Sequence, residues 1–201
     1  MHRTALAAIA ALGVFTLAAC QPPSGHGSDA PPLQTVEFVE IGRYLGRWFE
    51  IARYDHGFER GCAGVTAEYA RREDGLIDVT NTCYEGGLDG EVETANGRAR
   101  IADETTNAQL EVSFFGPFWG DYWIIDLADD YGWAIVSEPE GRYLWILSRE
   151  PQMDEDTLSA RLEWLEAQGF DTSMLIMVEQ WESAEAVSPG SPAPTGDPQN
   201  G

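Results

Sequence analysis

The chain has 201 residues, enough for one domain of ordinary size, and 43% of them are hydrophobic, enough to build a packed core. Twelve basic residues stand against 34 acidic ones, a formal net charge of -22. Such a surface repels phosphates, which excludes nucleic acid and anionic membrane surfaces as electrostatic partners.

The N-terminus reads separately from the rest. Arg3 is followed by an apolar run from Ala5 to Leu17, too short to span a bilayer comfortably, so residues 1–19 read as a signal peptide. The run ends Leu17-Ala18-Ala19-Cys20, which resembles the bacterial lipobox. That resemblance implies cleavage before Cys20 and lipidation of its thiol. Gln21, rather than Asp, in the next position resembles the signal for outer-membrane sorting. Residues 20–35 are rich in Pro, Gly and Ser and read as the lipidated Cys with a flexible tether. Residues 183–201 have a similar composition and read as a disordered tail, which leaves 36–182 as the folded domain.

Within that domain, short alternating runs are separated by turn residues, the pattern of an antiparallel sandwich or barrel. Trp48–Tyr54 is the first predicted strand. Val65, Ala67 and Tyr69 alternate with polar residues, then a tight turn ends at Gly75, free to take positive φ. Ile77 and Val79, Ala99 and Ile101, and Leu110, Val112 and Phe114 mark three further strands. Tyr122–Leu127, Trp133–Ser137 and Tyr143–Ser148 bring the total to eight. The last three are apolar on both faces, as expected where one face lines a barrel and the other lies beneath a helix or a partner. That helix is predicted after Asp154-Glu155-Asp156, whose charge suits a first turn. Leu158, Leu162 and Leu165 form its stripe, and Gly169 its cap. A final strand is predicted over Leu175–Gln180.

Two cysteines remain besides Cys20, and an even pair in an exported chain reads as a disulfide between Cys62 and Cys83. Strict alternation puts the two out of step, so the pairing needs a bulge or an irregular strand start. Glu50 follows Trp48 by two residues; a regular strand points it inward, a bulge points it outward, and the sequence leaves both open.

Four stretches resemble the lipocalin family, and its bacterial outer-membrane lipoproteins in particular. They are Tyr44-Leu45-Gly46-Arg47-Trp48 with its Gly-x-Trp, Phe114-Phe115-Gly116-Pro117-Phe118, Asp130-Tyr131, and Arg149 after Leu144–Ser148. The Thr that usually precedes the second signature is absent; Ala128-Asp129 stands there. The resemblance covers about Val36 to Trp181. It implies an all-β fold, an eight-stranded antiparallel up-and-down barrel with one C-terminal helix and a final short strand. It also implies that Trp48 plugs the closed end with the Arg149 guanidinium over its ring, so Gly46, Trp48, Asp130, Tyr131 and Arg149 are structural. The open end then carries the loops Asp55–Gly61, Tyr84–Gly90, Gly116–Gly120 and Glu138–Gly141.

The expected inner wall consists of Val65, Tyr69, Val79, Val112, Phe114, Tyr122, Trp133, Tyr143 and Trp145. Such a wall suits an acyl chain, each buried methylene of which contributes about 0.8 kcal/mol. Trp119 and Phe118 lie in a rim loop where polar residues are usual, and Arg53 and Arg60 are candidate cations for an anionic head group. The expected function is therefore to bind and store or carry a fatty acid, lysophospholipid or similar amphiphile in the cell envelope. The expected place is the outer membrane, at its periplasmic face, through the anchor at Cys20, as a monomer or a homodimer. No cofactor, metal or catalysis is expected: both mature cysteines read as paired, and no Gly-x-Ser-x-Gly elbow is present. A lipid-acting enzyme using His56 and an envelope scaffold with an empty barrel are the alternatives.

Overall fold

Each alternating run forms a strand, because a period of two lets every strand bury one edge on the axis of a closed sheet. The computed structural model describes residues 24–184; the signal peptide, Cys20 and the tail from 185 onward lie outside the described residues. The strands are β1 (Gly46–Tyr54), β2 (Cys62–Arg71), β3 (Ile77–Glu85), β4 (Val92–Ile101), β5 (Gln109–Ser113), β6 (Gly120–Leu127), β7 (Trp133–Ser137) and β8 (Leu144–Ser148). Each is antiparallel to its neighbour in sequence, and β1 pairs with both β2 and β8, which closes an up-and-down barrel. One helical turn, α1 (Ile41–Tyr44), precedes β1 and is too short to show a period in the sequence.

The barrel packs in two shells. Inside, Trp48, Val79, Leu110, Ile124, Val136 and Leu147 belong to one buried cluster. Outside, Phe49, Ile51, Ile125, Ile135, Leu144 and Ile146 form a second with Leu165 of the helix α2 (Glu155–Ala167). The apolar outer faces of β6, β7 and β8 thus lie beneath α2. The Asp154 carboxylate caps this helix, accepting from the Thr157 amide at 3.0 Å. At its other end Gly169, at φ +94°, lets its own amide bond Glu166 and that of Phe170 bond Leu165.

β9 (Leu175–Met177) is shorter than the expected Leu175–Gln180 strand. It bonds to Ala52–Tyr54 of β1, whose pairing with β2 ends at Phe49. Past β9 the chain serves both strands. Val178 donates to Ile51 O, Gly64 donates to Glu179 O, and the Gln180 amide donates to Glu50 O at 3.0 Å and Val65 O at 2.8 Å. A side chain thus fills the place where the β1–β2 ladder opens.

Cys62 and Cys83 form a disulfide, with Cα atoms 5.3 Å apart. The irregularity that alternation demanded is a register shift between Ala63 and Thr66, where Gly64 takes φ +55°. On chain-entropy grounds, closing a loop of this size contributes roughly 3 kcal/mol.

The segment expected to be a flexible tether departs from that reading at Ser24. The Ser24 hydroxyl donates to Glu140 O at 2.6 Å, and Gly25 donates to Gly141 O at 3.1 Å. Gly27 donates to Gly169 O, and His26 packs edge-on against Phe170. Backbone donors here find carbonyls on the β7–β8 loop and at the end of α2, which composition alone does not reveal.

Candidate functional site

The signature residues meet at one end of the barrel. The Arg149 guanidinium lies 3.7 Å from the Trp48 ring centroid and donates to Arg47 O and Arg43 O, both at 2.7 Å, and to Tyr44 O at 3.1 Å. Gly46, at φ +91°, turns the chain beside that guanidinium. Asp130 accepts from the Gly132 amide, and the Tyr131 hydroxyl accepts from the Glu40 amide at 2.8 Å beneath the Arg43 guanidinium. Trp48 is wholly buried, so this end is closed.

A tyrosine bridge adjoins the plug, with the Tyr44 ring 4.9 Å from that of Trp48. Tyr69 of β2 donates to the Tyr122 hydroxyl at 2.9 Å, and Tyr122 of β6 shares a 2.8 Å hydrogen bond with Tyr44 of α1. β2 and β6 stand on opposite sides of the barrel, so this pair ties the walls together. Burial pushes the Tyr69 hydroxyl up to about 12, and burial likewise raises Tyr44 and Tyr122 well above the ordinary value. The unfolded tyrosines release protons near 10, before the folded ones do, so the bridge's contribution is complete below that pH and lost as pH rises from 10 toward 12 and beyond. Tyrosinate absorbance from these three should therefore appear together with loss of near-ultraviolet circular dichroism; ionisation with the fold intact contradicts the bridge.

An ion cluster missed at the sequence level lies where β1 runs into the β1–β2 loop. The register between β1 and β8 shifts between Glu50 and Ala52, so Glu50 and Arg53, three residues apart, meet at 2.9 Å. This settles Glu50: the bulge follows it and leaves it buried, at 4% exposure. Glu59, from the β1–β2 loop, lies 3.8 Å from Arg53 Nε and accepts from the Trp145 indole at 3.4 Å. His56 Nε2 stands 3.1 Å from Glu59, and its ring stacks on Phe58 at 3.9 Å, beside Trp145 and Tyr143. Burial, then the Glu59 charge, raises Glu50 well above the carboxylate range. Burial also works to raise Glu59, but His56 and Arg53 outweigh it and hold that carboxyl low.

The expected wall residues divide. Tyr69 and Tyr122 form the bridge, and Val79 packs in the same inner cluster. Phe114 reaches across Gly97, where an added Cβ would stand 2.8 Å from its ring. Val112 and Trp145 also pack against the inner cluster. Val65 is buried on β2, and Tyr143 stacks on Trp145 at 5.8 Å by the mouth. Trp133 is not a wall residue. It pairs with Ser148 and joins the outer cluster, with the Arg161 guanidinium of α2 4.5 Å from its ring. Nor does Trp119 enter the barrel: it folds back between Arg98 and Arg100, at 5.2 and 4.3 Å. Arg53 is spent on two carboxylates, whereas Arg60 is exposed and pairs with Asp55 at 3.3 Å.

The rim has a further anchor that the sequence did not signal. Buried Glu138 accepts from the amides of Glu140, Arg142 and Tyr143 and so shapes the β7–β8 loop. Among the described residues, no group of three or more His, Cys, Asp or Glu is placed to hold a metal ion, and no helix is long and apolar enough to cross a membrane.

Comparison with known proteins agrees with this geometry. The family described as "Lipocalin-like domain" matches residues 39–180. The chain is 44% identical over 149 residues to outer membrane lipoprotein Blc of Vibrio cholerae, covering 74% of this chain and 86% of that one. It is 41% identical over 173 residues to outer membrane lipoprotein Blc of Escherichia coli K12, covering 85% and 94%. Insecticyanin from the tobacco hornworm Manduca sexta shares the fold, with a TM-score of 0.62 at 22% identity over 76% of this chain and 87% of that one. A closed eight-stranded barrel, a Trp–Arg plug at one end and these relatives together establish that the chain belongs to the lipocalin family, in its branch of bacterial outer-membrane lipoproteins.

Proposed function

We propose that this lipocalin binds an amphiphile with an acyl chain, a fatty acid or lysophospholipid, at the periplasmic face of the outer membrane, held there by lipidation at Cys20. The observation that carries the reading is the division of the interior. At the closed end Trp48 is wholly buried, whereas Phe114 and Trp145, packed against the same inner cluster, and Tyr143 at the mouth are only partly buried and offer apolar surface. A hydrocarbon tail lies against such rings, and the polar head stays near the rim. Arg60 is the available cation for an anionic head, because Arg53 is already paired twice. His56 is buried against Glu59 rather than set beside a nucleophile, which supports binding over turnover.

The test is native mass spectrometry of protein taken from the envelope, followed by titration of the stripped protein with palmitate and with lysophosphatidylethanolamine. A bound lipid of one-to-one stoichiometry is expected, with Trp145→Ala and Phe114→Ala each weakening rebinding about tenfold, as losing part of an apolar wall would do. Protein that carries no lipid and binds neither probe overturns the reading.

A further inference from the structure

We propose that the open end of the barrel faces the bilayer that holds the anchor, and that its rim rests in that bilayer. The docked N-terminal segment is the first support. Ser24 and Gly25 are bonded to Glu140 and Gly141, which lie in the β7–β8 loop at the mouth. Cys20 is four residues upstream of Ser24, and at the chain's maximum reach that is about 14 Å. A tether free as far as residue 35 would let the barrel tumble; one fixed from Ser24 keeps the lipidated end beside the mouth. This step rests on lipidation at Cys20.

The rim is the second support, and it is independent of the first. Seven large hydrophobic side chains are exposed among the described residues, and four of them, Phe58, Val92, Phe115 and Phe118, belong to loops or strand ends at the mouth. Phe115 and Phe118 are 82% and 76% exposed, and a hydrogen bond from Phe118 N to Phe115 O holds them on one tight turn. Beside them Trp119 lies against the guanidinium groups of Arg98 and of Arg100, the latter also paired with Glu111, an indole among charged groups of the kind suited to the head-group layer.

Charge then selects the lipid. Glu85, Asp89 and Glu91 lie in or beside the β3–β4 loop at the same end, so an anionic surface is repelled and a zwitterionic one tolerated. The occupant of this surface is a phosphatidylethanolamine-like bilayer. A single-chain lipid then passes from the leaflet to the calyx without crossing bulk water.

The experiment uses the full, acylated chain in phosphatidylethanolamine–phosphatidylcholine vesicles, with a nitroxide at Phe118→Cys or at Glu73→Cys. Glu73 is exposed in the β2–β3 turn at the opposite end. Cys62 and Cys83 are paired and Cys20 is acylated, so only the new thiol takes the label. The label at 118 is expected to be relaxed by oxygen, as in lipid, and the label at 73 by a water-soluble relaxant. Both labels in water, or 73 in lipid, overturns the proposal. A second measurement removes the anchor: Cys20→Ser protein is expected to lose about tenfold or more in vesicle partition when Phe115 and Phe118 both become Ser. Unchanged partition also overturns it. Palmitate binding in solution is measured on the same variants, so failure of the docking surface and failure of the calyx are told apart.

Discussion

Replacing Arg53 by Met is expected to lower the stability of the folded protein by about 3–5 kcal/mol at neutral pH, the range found when one partner of a buried ion pair is removed. Arg53 is 3% exposed and stands between Glu50, at 4%, and Glu59, at 7%. Met matches the aliphatic part of the side chain, so the loss is electrostatic rather than a cavity. Without the guanidinium, the carboxylate of Glu59 is left with His56, the Trp145 indole and the Glu50 carboxyl as close polar neighbours.

The pH dependence follows from the signs. Glu59 is held below its ordinary value, so its contribution in the native protein is present above the unfolded value and is lost as pH falls through the folded one. Glu50 is raised, so it favours the folded state when protonated, and its contribution falls as pH rises. Removing Arg53 raises both groups, and the deficit should shrink on acidification. Urea denaturation at neutral and mildly acid pH reads this directly. Arg53→Met with Glu50→Gln and Glu59→Gln should recover most of the loss, since no unpaired charge is then buried. A single variant within about 1 kcal/mol of the parent contradicts the cluster, because that is the range of an exposed pair.

This cluster also shows where sequence reasoning stops. Strands reveal their inward face when the other face is polar: Tyr69 and Val79 were legible because Glu68, Asp78 and Thr80 flank them. In β7 every residue from Trp133 to Val136 is apolar, so alternation has no phase. Size suggests Trp133 for the wall, but Ala134 and Val136 are the residues that join the inner cluster. Small side chains fit a narrow barrel already filled by Trp48, and the large ring goes under α2. Loops carry no period at all, which is why Glu59 and the return of Trp119 onto Arg98 and Arg100 left no trace in the pattern. The tether failed for another reason. Pro, Gly and Ser report low hydrophobicity, but Gly25 and Gly27 are held by backbone hydrogen bonds, to which composition is blind. Cys62 and Cys83 show the opposite case: two facts in conflict, pairing and alternation, required a bulge, and the bulge is at Gly64.

At the closed end, Arg149→Met is expected to reduce stability by about 3 kcal/mol, the sum of a cation–π contact and charge-assisted bonds in a partly exposed site. For a domain of this size that is a fall of about 10 °C in Tm. The guanidinium reaches carbonyls of Arg43, Tyr44 and Arg47 while lying flat on Trp48. It therefore ties α1 and the start of β1 to the end of β8, which a point charge cannot do. Arg149→Lys should recover less than half of the loss, because an ammonium lacks the planar fork that serves several carbonyls and stacks at once. The two contributions separate in a cycle with Trp48→Leu, which removes the aromatic face. If the ring stack matters beyond the hydrogen bonds, removing both side chains costs less than the sum of the single losses. Additive losses, with Lys equal to Arg at 149, would instead reduce the plug to ordinary packing. The calyx itself offers a control. The plug closes the end opposite the mouth, so at temperatures where Arg149→Met is still folded its affinity for palmitate should match that of the parent.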